Sequence, residues 1–226
     1  MKRTLIAIGG GELRARETLK IDEYVANIVK SKTEGKRPTA LFVGTASHDS
    51  MPYYNTFHKV YTGIFGFKTD CALSVFGEMS TEKLTGKFDV ADMIYVGGGD
   101  TLFMLENWRK SGIADMIRRA YEKGTVLCGL SAGAICWFED IYTDSAKISG
   151  GKYAFEKGLG ILRGGACPHF DERKEDFLSE FLNGENIWYG LENNSAAVFI
   201  DEKYESTVSA GGKVYKIKGN SEITEL

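Results

Sequence analysis

The chain has 226 residues, of which 43% are hydrophobic and 26% are charged, and its formal net charge is −3. This balance, without a long basic run, excludes nucleic acid as the expected partner, and no apolar stretch is long enough to span a membrane. We therefore expect a soluble globular protein with one domain over residues 1–226.

Apolar runs that end in turn residues alternate with helical patterns over the first two thirds of the chain. The predicted strands are residues 5–8, 40–43, 71–76, 93–96 and 126–128. The helical patterns cover residues 18–32, 53–65, 80–85 and 102–122, and the last is broken near Gly112. This alternation predicts a three-layer α/β/α fold around a mostly parallel, doubly wound sheet. Small-residue loops follow several strands, at the carboxyl edge where such a fold binds ligands.

The last third of the chain has shorter elements. A helix is predicted over residues 172–181, and short, partly antiparallel strands over 188–191, 196–200, 206–209 and 213–217. Residues 209–213, with two adjacent glycines, are typical of a hairpin turn between the last two strands. The four cysteines have no metal-ligand spacing: Cys71, Cys128, Cys136 and Cys167. They predict buried free thiols in a reducing cytoplasm, and we expect neither a metal nor an organic cofactor.

The most informative segment is Gly129-Leu130-Ser131-Ala132-Gly133. A strand-like run precedes it, and a helical run over residues 132–138 follows it. This context is typical of a nucleophile elbow, in which a sharp turn between strand and helix presents a serine hydroxyl above the sheet. The alternative is a tight turn whose serine only caps the helix.

A nucleophilic serine needs a base, and the chain has three histidines. His169 follows a predicted strand and precedes a helix, so it is favoured. His48 lies in the loop after the second strand and competes with it, whereas His58 is expected on the surface of a helix. Several acids could orient the base: Glu139, Asp140, Asp144, Asp171 and Glu192. The pattern alone does not rank Glu192, at the end of a strand, against Asp144.

An acyl-transfer site also needs backbone N–H groups that bind the developing oxyanion. Ala132, directly after the serine, would supply one of them. The glycine-rich loop of residues 97–101 would supply the other. That loop lacks the lysine of a phosphate-binding P-loop and the G-x-G-x-x-G spacing of a dinucleotide site, which disfavours nucleotide binding.

Together these motifs resemble the peptidase E/cyanophycinase family of serine peptidases. The resemblance rests on residues 9–12, 96–101, 129–134 and 168–170, which have the sequences GGGE, VGGGDT, GLSAGA and PHF. It implies a class I glutamine amidotransferase-like fold in which serine replaces the cysteine at the elbow. It also implies cleavage of peptide bonds at acidic residues: peptidase E removes an N-terminal aspartate from dipeptides, and cyanophycinase acts on an aspartate–arginine polymer.

The resemblance assigns roles by position. Ser131 matches the nucleophile and His169 the base, Glu192 lies where the late acidic residue of the family falls, and Asp144 lies near a second acidic position. Three positions match the segments that form the oxyanion hole: Gly98, Gly99 and Ala132. Arg173 and Arg163 are candidates for the cations that bind an acidic substrate. Asp100 stands where peptidase E commonly has an amide, which places strict aspartyl specificity in doubt.

These residues predict a serine-type peptidase that hydrolyses small peptides, with a small peptide as its partner and either a monomer or a homodimer as its assembly. An α/β-hydrolase is disfavoured, because there the acid precedes a histidine that lies late in the chain. A non-peptidase amide or ester hydrolase and a non-catalytic small-molecule-binding protein remain as alternatives. Glutamine amidotransferase chemistry is disfavoured because the elbow carries Ser131, while Cys128 should be buried in its strand.

Overall fold

The computed structural model describes residues 2–76, 79–181, 186–219 and 222–226. Strands and helices alternate over its first half, as predicted. The strands are β1 (Thr4–Ile8), β2 (Thr39–Val43), β3 (Lys68–Ala72), β4 (Met93–Val96) and β5 (Val126–Leu130). The helices are α1 (Leu19–Lys32), α2 (Met51–Gly63), α3 (Thr81–Asp89), α4 (Thr101–Ser111) and α5 (Ile113–Lys123). The break between α4 and α5 falls at Gly112, whose φ of 77° ends the first helix.

These five strands are mutually parallel, and two later strands, β10 (Ser195–Ile200) and β11 (Lys203–Ser209), extend the same sheet in the antiparallel sense. The order across the seven strands is β11-β10-β1-β5-β4-β2-β3. The mixed α/β class with a mostly parallel central sheet is therefore confirmed. β5 is the central strand of this sheet and β1 lies beside it, so the loops that follow these two strands reach the middle of the carboxyl edge.

Both faces of the sheet are buried along its inner strands β1, β2, β4, β5 and β10, because these strands carry apolar side chains at consecutive positions. In β1, Leu5 and Ala7 face one layer, whereas Ile6 and Ile8 face the other. The first layer contains residues of α4 and α5, and the second contains residues of α1 and α2. The sheet is thereby fixed from both sides, which makes its carboxyl edge a rigid support for loops.

A second sheet was not predicted. Its strands are β6 (Phe138–Thr143), β7 (Ala154–Lys157), β8 (Leu162–Pro168), β9 (Ile187–Leu191), β12 (Val214–Lys218) and β13 (Glu222–Glu225), in the order β13-β12-β9-β8-β6-β7. One face shares the apolar layer of α4 and α5, and the other packs on helix α7 (Phe170–Glu180) through Phe170 and Phe177. The helical run expected over residues 132–138 is only the short helix α6 (Ala132–Ile135), because Phe138 already begins β6.

Two local predictions are wrong. Residues 209–213 do not form a hairpin, since β11 pairs with β10 in the first sheet whereas β12 pairs with β9 in the second. The third strand covers Lys68–Ala72 rather than residues 71–76, because an edge strand tolerates polar residues. The apolar residues after it form a loop, in which the N–H groups of Ser74 and Val75 donate to the carboxylate of Asp49.

Three of the four cysteines are buried and all four are free thiols. Cys128 lies in β5 with no exposed surface, as predicted, and burial raises the pKa of its thiol well above the ordinary value. It is therefore protonated and inaccessible at neutral pH. Among the helices that the structure describes, none has both the length and the apolar character that crossing a membrane would need.

Asp22 is a fully buried carboxylate in the layer between α1 and the sheet. Thr18 Oγ1 and Tyr61 Oη each donate a hydrogen bond of 2.8 Å to it. Burial raises the pKa of Asp22 from 3.8 to about 6, and the two hydrogen bonds oppose this shift only in part. The folded protein therefore retains a proton that the unfolded chain releases between these two pH values.

Because the folded protein holds this proton, we expect the free energy of unfolding to fall by about 3 kcal/mol in total as the pH rises from about 4 to about 6. The contribution is fully present below the pKa of the unfolded chain and is lost as the pH passes the folded value of about 6. Asp22→Asn stays neutral, so it should lack this component. Urea unfolding of both proteins at several pH values gives the difference between their stabilities. A difference that does not change between pH 4 and pH 6 would contradict the assignment.

Candidate active site

Ser131 stands at the turn between β5 and α6 with φ 55° and ψ −112°, a strained conformation for a residue with a side chain. The glycines on either side permit this turn: a Cβ on Gly129 would lie 2.0 Å from the carbonyl oxygen of Gly133, and one on Gly133 would lie 2.2 Å from that of Val96. The Ser131 N–H donates to the carbonyl of Ile8 at 2.9 Å. Ser131 thus stands at a sharp turn between strand and helix that is anchored on β1.

His169 approaches the same point from the second sheet. It follows β8 with a positive φ of 49°, and its backbone N–H donates to the carbonyl of Gly9 at 3.1 Å. Its Nε2 lies 2.8 Å from Ser131 Oγ, so the structure brings together the two residues that the sequence paired. The competing histidines lie elsewhere: His48 is exposed and its ring lies tilted against Phe103, with the centroids 4.2 Å apart, and His58 is exposed on α2.

The other ring nitrogen of His169 faces an amide. Asn193 Oδ1 lies 2.7 Å from Nδ1, while Asn193 Nδ2 donates to Asp171 Oδ2 at 2.9 Å and to Glu172 Oε1 at 2.6 Å. Ionised carboxylates only accept hydrogen bonds, so they fix the amide nitrogen on their side and turn its oxygen toward the imidazole. This arrangement assigns the proton of neutral His169 to Nδ1. The Nε2 lone pair then accepts the hydroxyl proton of Ser131.

Neither acid that the sequence singled out bonds to the ring of His169. Glu192 Oε2 accepts from the backbone N–H of Lys213 at 2.9 Å, and Asp144 Oδ2 accepts from Arg173 Nη2 at 2.8 Å. The geometry therefore gives no support to Glu192 or Asp144 as the group that orients the base, and offers Asn193 instead. The strand β9 does return to the site, as expected, but the side chain that reaches His169 stands one residue beyond Glu192.

The surroundings of His169 favour its neutral form. Partial burial lowers the pKa of the imidazole below its ordinary value of 6.5, and the nearby Arg173 guanidinium lowers it further. The hydrogen bond to Asn193 and the negative charges of Glu172 and Asp144 oppose this shift without reversing it. At neutral pH the imidazole is therefore available to accept a proton, which a general base requires.

Two segments with backbone N–H groups lie beside Ser131. Ala132 is the first residue of α6, where N–H groups lack partners within the helix. A Cβ on Gly98 would lie 3.3 Å from the Cβ of Ser131, and Gly99 has a φ of 139° with its Cα against the carbonyl of Ala46. The Gly98 N–H donates a long hydrogen bond of 3.4 Å to the hydroxyl of Tyr53. Among the described residues, no protein group accepts from the N–H groups of Gly99 or Ala132.

Ser131 and His169 open into a cleft of about 720 Å³. One wall is the loop of residues 11–14 and the other is the start of α2, where Tyr53, Thr56 and Lys59 line the space. Arg14 and Lys59 are exposed on these opposite walls, and neither forms an ion pair with any residue that the structure describes. Glu12 is the acidic residue that lines the same cleft, so the cleft carries a net positive charge.

The three residues that the sequence offered for substrate binding do not line this cleft. Asp100 is the N-cap of α4 and accepts from the N–H of Phe103 at 3.1 Å. Arg173 is only 5% exposed and pairs with Asp144. Arg163 lies near the start of β8, about 20 Å along the strand from His169. Arg173 lines a second, smaller pocket on the side of His169 where Asn193 lies, whereas Asp100 and Arg163 line neither pocket. Substrate binding by these three residues stays a prediction, and Arg14 and Lys59 are the cations that line the cleft of Ser131.

Comparisons with known proteins show which family the chain belongs to. The model of peptidase family S51 matches residues 5–207. A Bacillus subtilis (strain 168) protein, uncharacterized peptidase YgaJ, is 34% identical over 236 residues, which cover 100% of this chain and 96% of that protein. Peptidase E of Streptomyces coelicolor is 25% identical over 148 residues, covering 61% of this chain and 60% of that protein.

Solved structures show the same fold at low sequence identity. A peptidase from an acI-B1 Actinobacterium superposes with a TM-score of 0.71 at 19% identity, covering 99% of this chain and 93% of that one. A putative peptidase E protein from Listeria monocytogenes EGD-e gives 0.67 at 20% identity, covering 92% and 99%. With the family model matched over most of its length, this chain belongs to peptidase family S51.

Proposed function

We propose that the protein is a serine-type peptidase that hydrolyses short peptides, with Ser131 as nucleophile and His169 as general base. The observation that carries the proposal is the 2.8 Å contact between Ser131 Oγ and His169 Nε2 at a strained elbow that opens into a cleft. Asn193 would hold the imidazole in the tautomer that the reaction needs. Amide side chains serve this purpose in other nucleophilic triads.

The reaction would follow in two steps. Ser131 Oγ attacks the carbonyl carbon of the scissile bond while His169 Nε2 takes the hydroxyl proton, and the carbonyl oxygen becomes an oxyanion near the N–H groups of Ala132 and Gly99. Collapse of this intermediate breaks the C–N bond, and His169 gives the proton to the leaving amine. Water then attacks the acyl-enzyme by the same route in reverse, which releases the second product and restores Ser131.

The charges of the cleft support a peptide with an acidic residue at the scissile bond, such as an N-terminal aspartate. Arg14 and Lys59 are free to pair with a carboxylate, whereas Asp100, whose carboxylate would repel one, caps α4 and does not line the cleft. A relative bears the name peptidase E. The buried free thiols Cys128, Cys136 and Cys167 support a reducing cytoplasm as the place of action.

The direct test is a dipeptide library incubated with the wild-type and Ser131→Ala proteins side by side, with products read by mass spectrometry. We expect the wild type to cleave acidic dipeptides and Ser131→Ala to cleave none. Cleavage of simple esters without any dipeptide would favour a non-peptidase hydrolase instead. Binding of the dipeptides without products would favour a binding protein, and either result would contradict the proposal.

In this proposal, Arg14 and Lys59 are the cations that bind the acidic side chain of the substrate. Arg14→Met and Lys59→Met should each lower kcat/KM for an Asp-containing dipeptide roughly 10- to 100-fold, because each removes a charge-assisted hydrogen bond. The Asn-containing isostere should be cleaved by variants and wild type at similar rates. Lys83→Met, on exposed α3, is a matched control that should change neither rate. Equal losses for both dipeptides would show that these cations do not select the acidic side chain.

A further inference from the structure

Tyr53 is the aromatic residue of the cleft that lies beside the glycine loop. It stands near the start of α2, and its ring packs so closely on the loop that a Cβ on Gly97 would lie 2.9 Å from it. The ring of Phe42 meets it edge-on, with the ring centroids 5.1 Å apart. Its position is therefore fixed by packing before any ligand arrives.

The hydroxyl of Tyr53 can both accept and donate a hydrogen bond, and toward the described residues it acts as an acceptor. Its oxygen accepts the hydrogen bond from the N–H of Gly98, and among the described residues no group accepts its own proton. Burial raises the pKa of Tyr53 to about 12, so the hydroxyl stays protonated at neutral pH. It is thus a neutral, preorganised donor that lines the same cleft as Ser131.

This contact changes what Gly98 can do. The sequence offers the Gly98 N–H as a donor of the oxyanion hole, but in the structure this N–H is directed to Tyr53 rather than left free. Gly98 also lies close to Ser131, since a Cβ on Gly98 would be 3.3 Å from the Cβ of Ser131, so the phenol and the nucleophile are both neighbours of this glycine. A donor bonded to Tyr53 oxygen polarises the phenol and strengthens it as a donor in turn.

We propose that Tyr53 is a further catalytic residue, whose O–H donates a hydrogen bond to the oxyanion formed on Ser131, in the place expected of the Gly98 N–H. The role rests on the proposed function, because it presupposes attack by Ser131 on a carbonyl. The oxyanion would then be held by one phenol together with the backbone N–H groups of Ala132 and Gly99. Tyrosine hydroxyls are known to serve as such donors, and their effect is largest where they need not reorganise.

The variant Tyr53→Phe removes only the hydroxyl and keeps the ring that packs on Gly97. We expect kcat for the best dipeptide to fall about 100-fold with KM changed less than about threefold, as for a donor that acts in the transition state. Tyr54→Phe is the matched control: Tyr54 is the next residue of α2, its hydroxyl donates to the carbonyl of Thr69 at 3.4 Å, and it does not line the cleft. It should keep the wild-type kcat.

A second measurement separates this role from the proposed function itself. A fluorophosphonate probe phosphonylates an activated serine: Ser131 Oγ attacks phosphorus, fluoride leaves, and His169 takes the proton. The wild type should be labelled and Ser131→Ala should not, while Tyr53→Phe should be labelled at least about tenfold more slowly than Tyr54→Phe. A wild-type kcat and labelling rate in Tyr53→Phe would overturn the role of Tyr53 and leave the serine mechanism standing. No labelling of the wild type would overturn both.

Discussion

Ser131→Ala is expected to lower kcat/KM for dipeptide hydrolysis on the order of 10⁵- to 10⁶-fold, which is the loss typical of a removed serine nucleophile. The residue at the elbow has no substitute, because Cys128 is buried three residues earlier and its raised pKa keeps the thiol protonated. Water alone would then have to attack the carbonyl, with help only from the donors that bind the oxyanion. Product formation from an acidic dipeptide, followed by mass spectrometry, measures the loss.

The same substitution should leave the fold intact. Alanine has a Cβ like serine, so the strain at φ 55° is unchanged, and the glycines that permit the turn remain. We expect a melting temperature within a few degrees of the wild type, as for a change of at most about 1 kcal/mol in a protein of this size. Ser31→Ala, on the exposed side of α1, is the control and should keep full activity. A Ser131→Ala protein that is folded and retains more than about one tenth of the wild-type rate would contradict the proposed mechanism.

The inner strands of the central sheet were predictable because they are buried on both faces. A continuous apolar run such as residues 93–96 indicates a strand that is buried on both faces, and the structure places β4 at these residues. The second sheet was not predictable, because pairing depends on contacts between segments far apart in the chain. Residues 209–213 have the composition of a hairpin turn, yet β11 pairs with β10 in the first sheet and β12 pairs with β9 in the second. Local turn signals do not specify which strands pair.

The site was predictable where it depends on backbone shape, and unpredictable where it depends on side-chain direction. At the turn around Ser131, backbone segments approach so closely that a Cβ at Gly129 or Gly133 would clash with a carbonyl oxygen. Glycines at these two positions of a sequence therefore indicate such a turn. Asn193 carries no such signal: an amide is rarely sought beside a catalytic histidine, and its neighbour Glu192 is the more obvious candidate. Lys59 lies on a helix whose periodicity indicates only that this face is polar. Which polar face borders a cleft is decided by tertiary packing.

His169→Ala is expected to cost about as much as the loss of Ser131, because nucleophile and base act as one unit. The wild type should in addition show an acid limb in kcat/KM that reports the pKa of His169 in the free enzyme. The base works only when neutral, so activity falls as the pH decreases through this pKa. Since burial and Arg173 lower the pKa of His169 below 6.5, the midpoint of this acid limb should lie below pH 6.5.

Asn193→Ala tests the orientation of the same ring. Without the amide oxygen, the Nδ1–H of His169 loses its acceptor, and Asp171 and Glu172 lose the group that separates them from the ring. We expect a roughly 10- to 100-fold lower kcat, smaller than the effect of His169→Ala because the base itself remains. Loss of a hydrogen bond that raises the pKa of His169 should also move the acid limb to lower pH. His58→Ala, on the exposed face of α2, should leave rate and pH profile unchanged. A wild-type acid limb centred at or above pH 6.5, or a wild-type rate in Asn193→Ala, would show that a different group orients or replaces this imidazole.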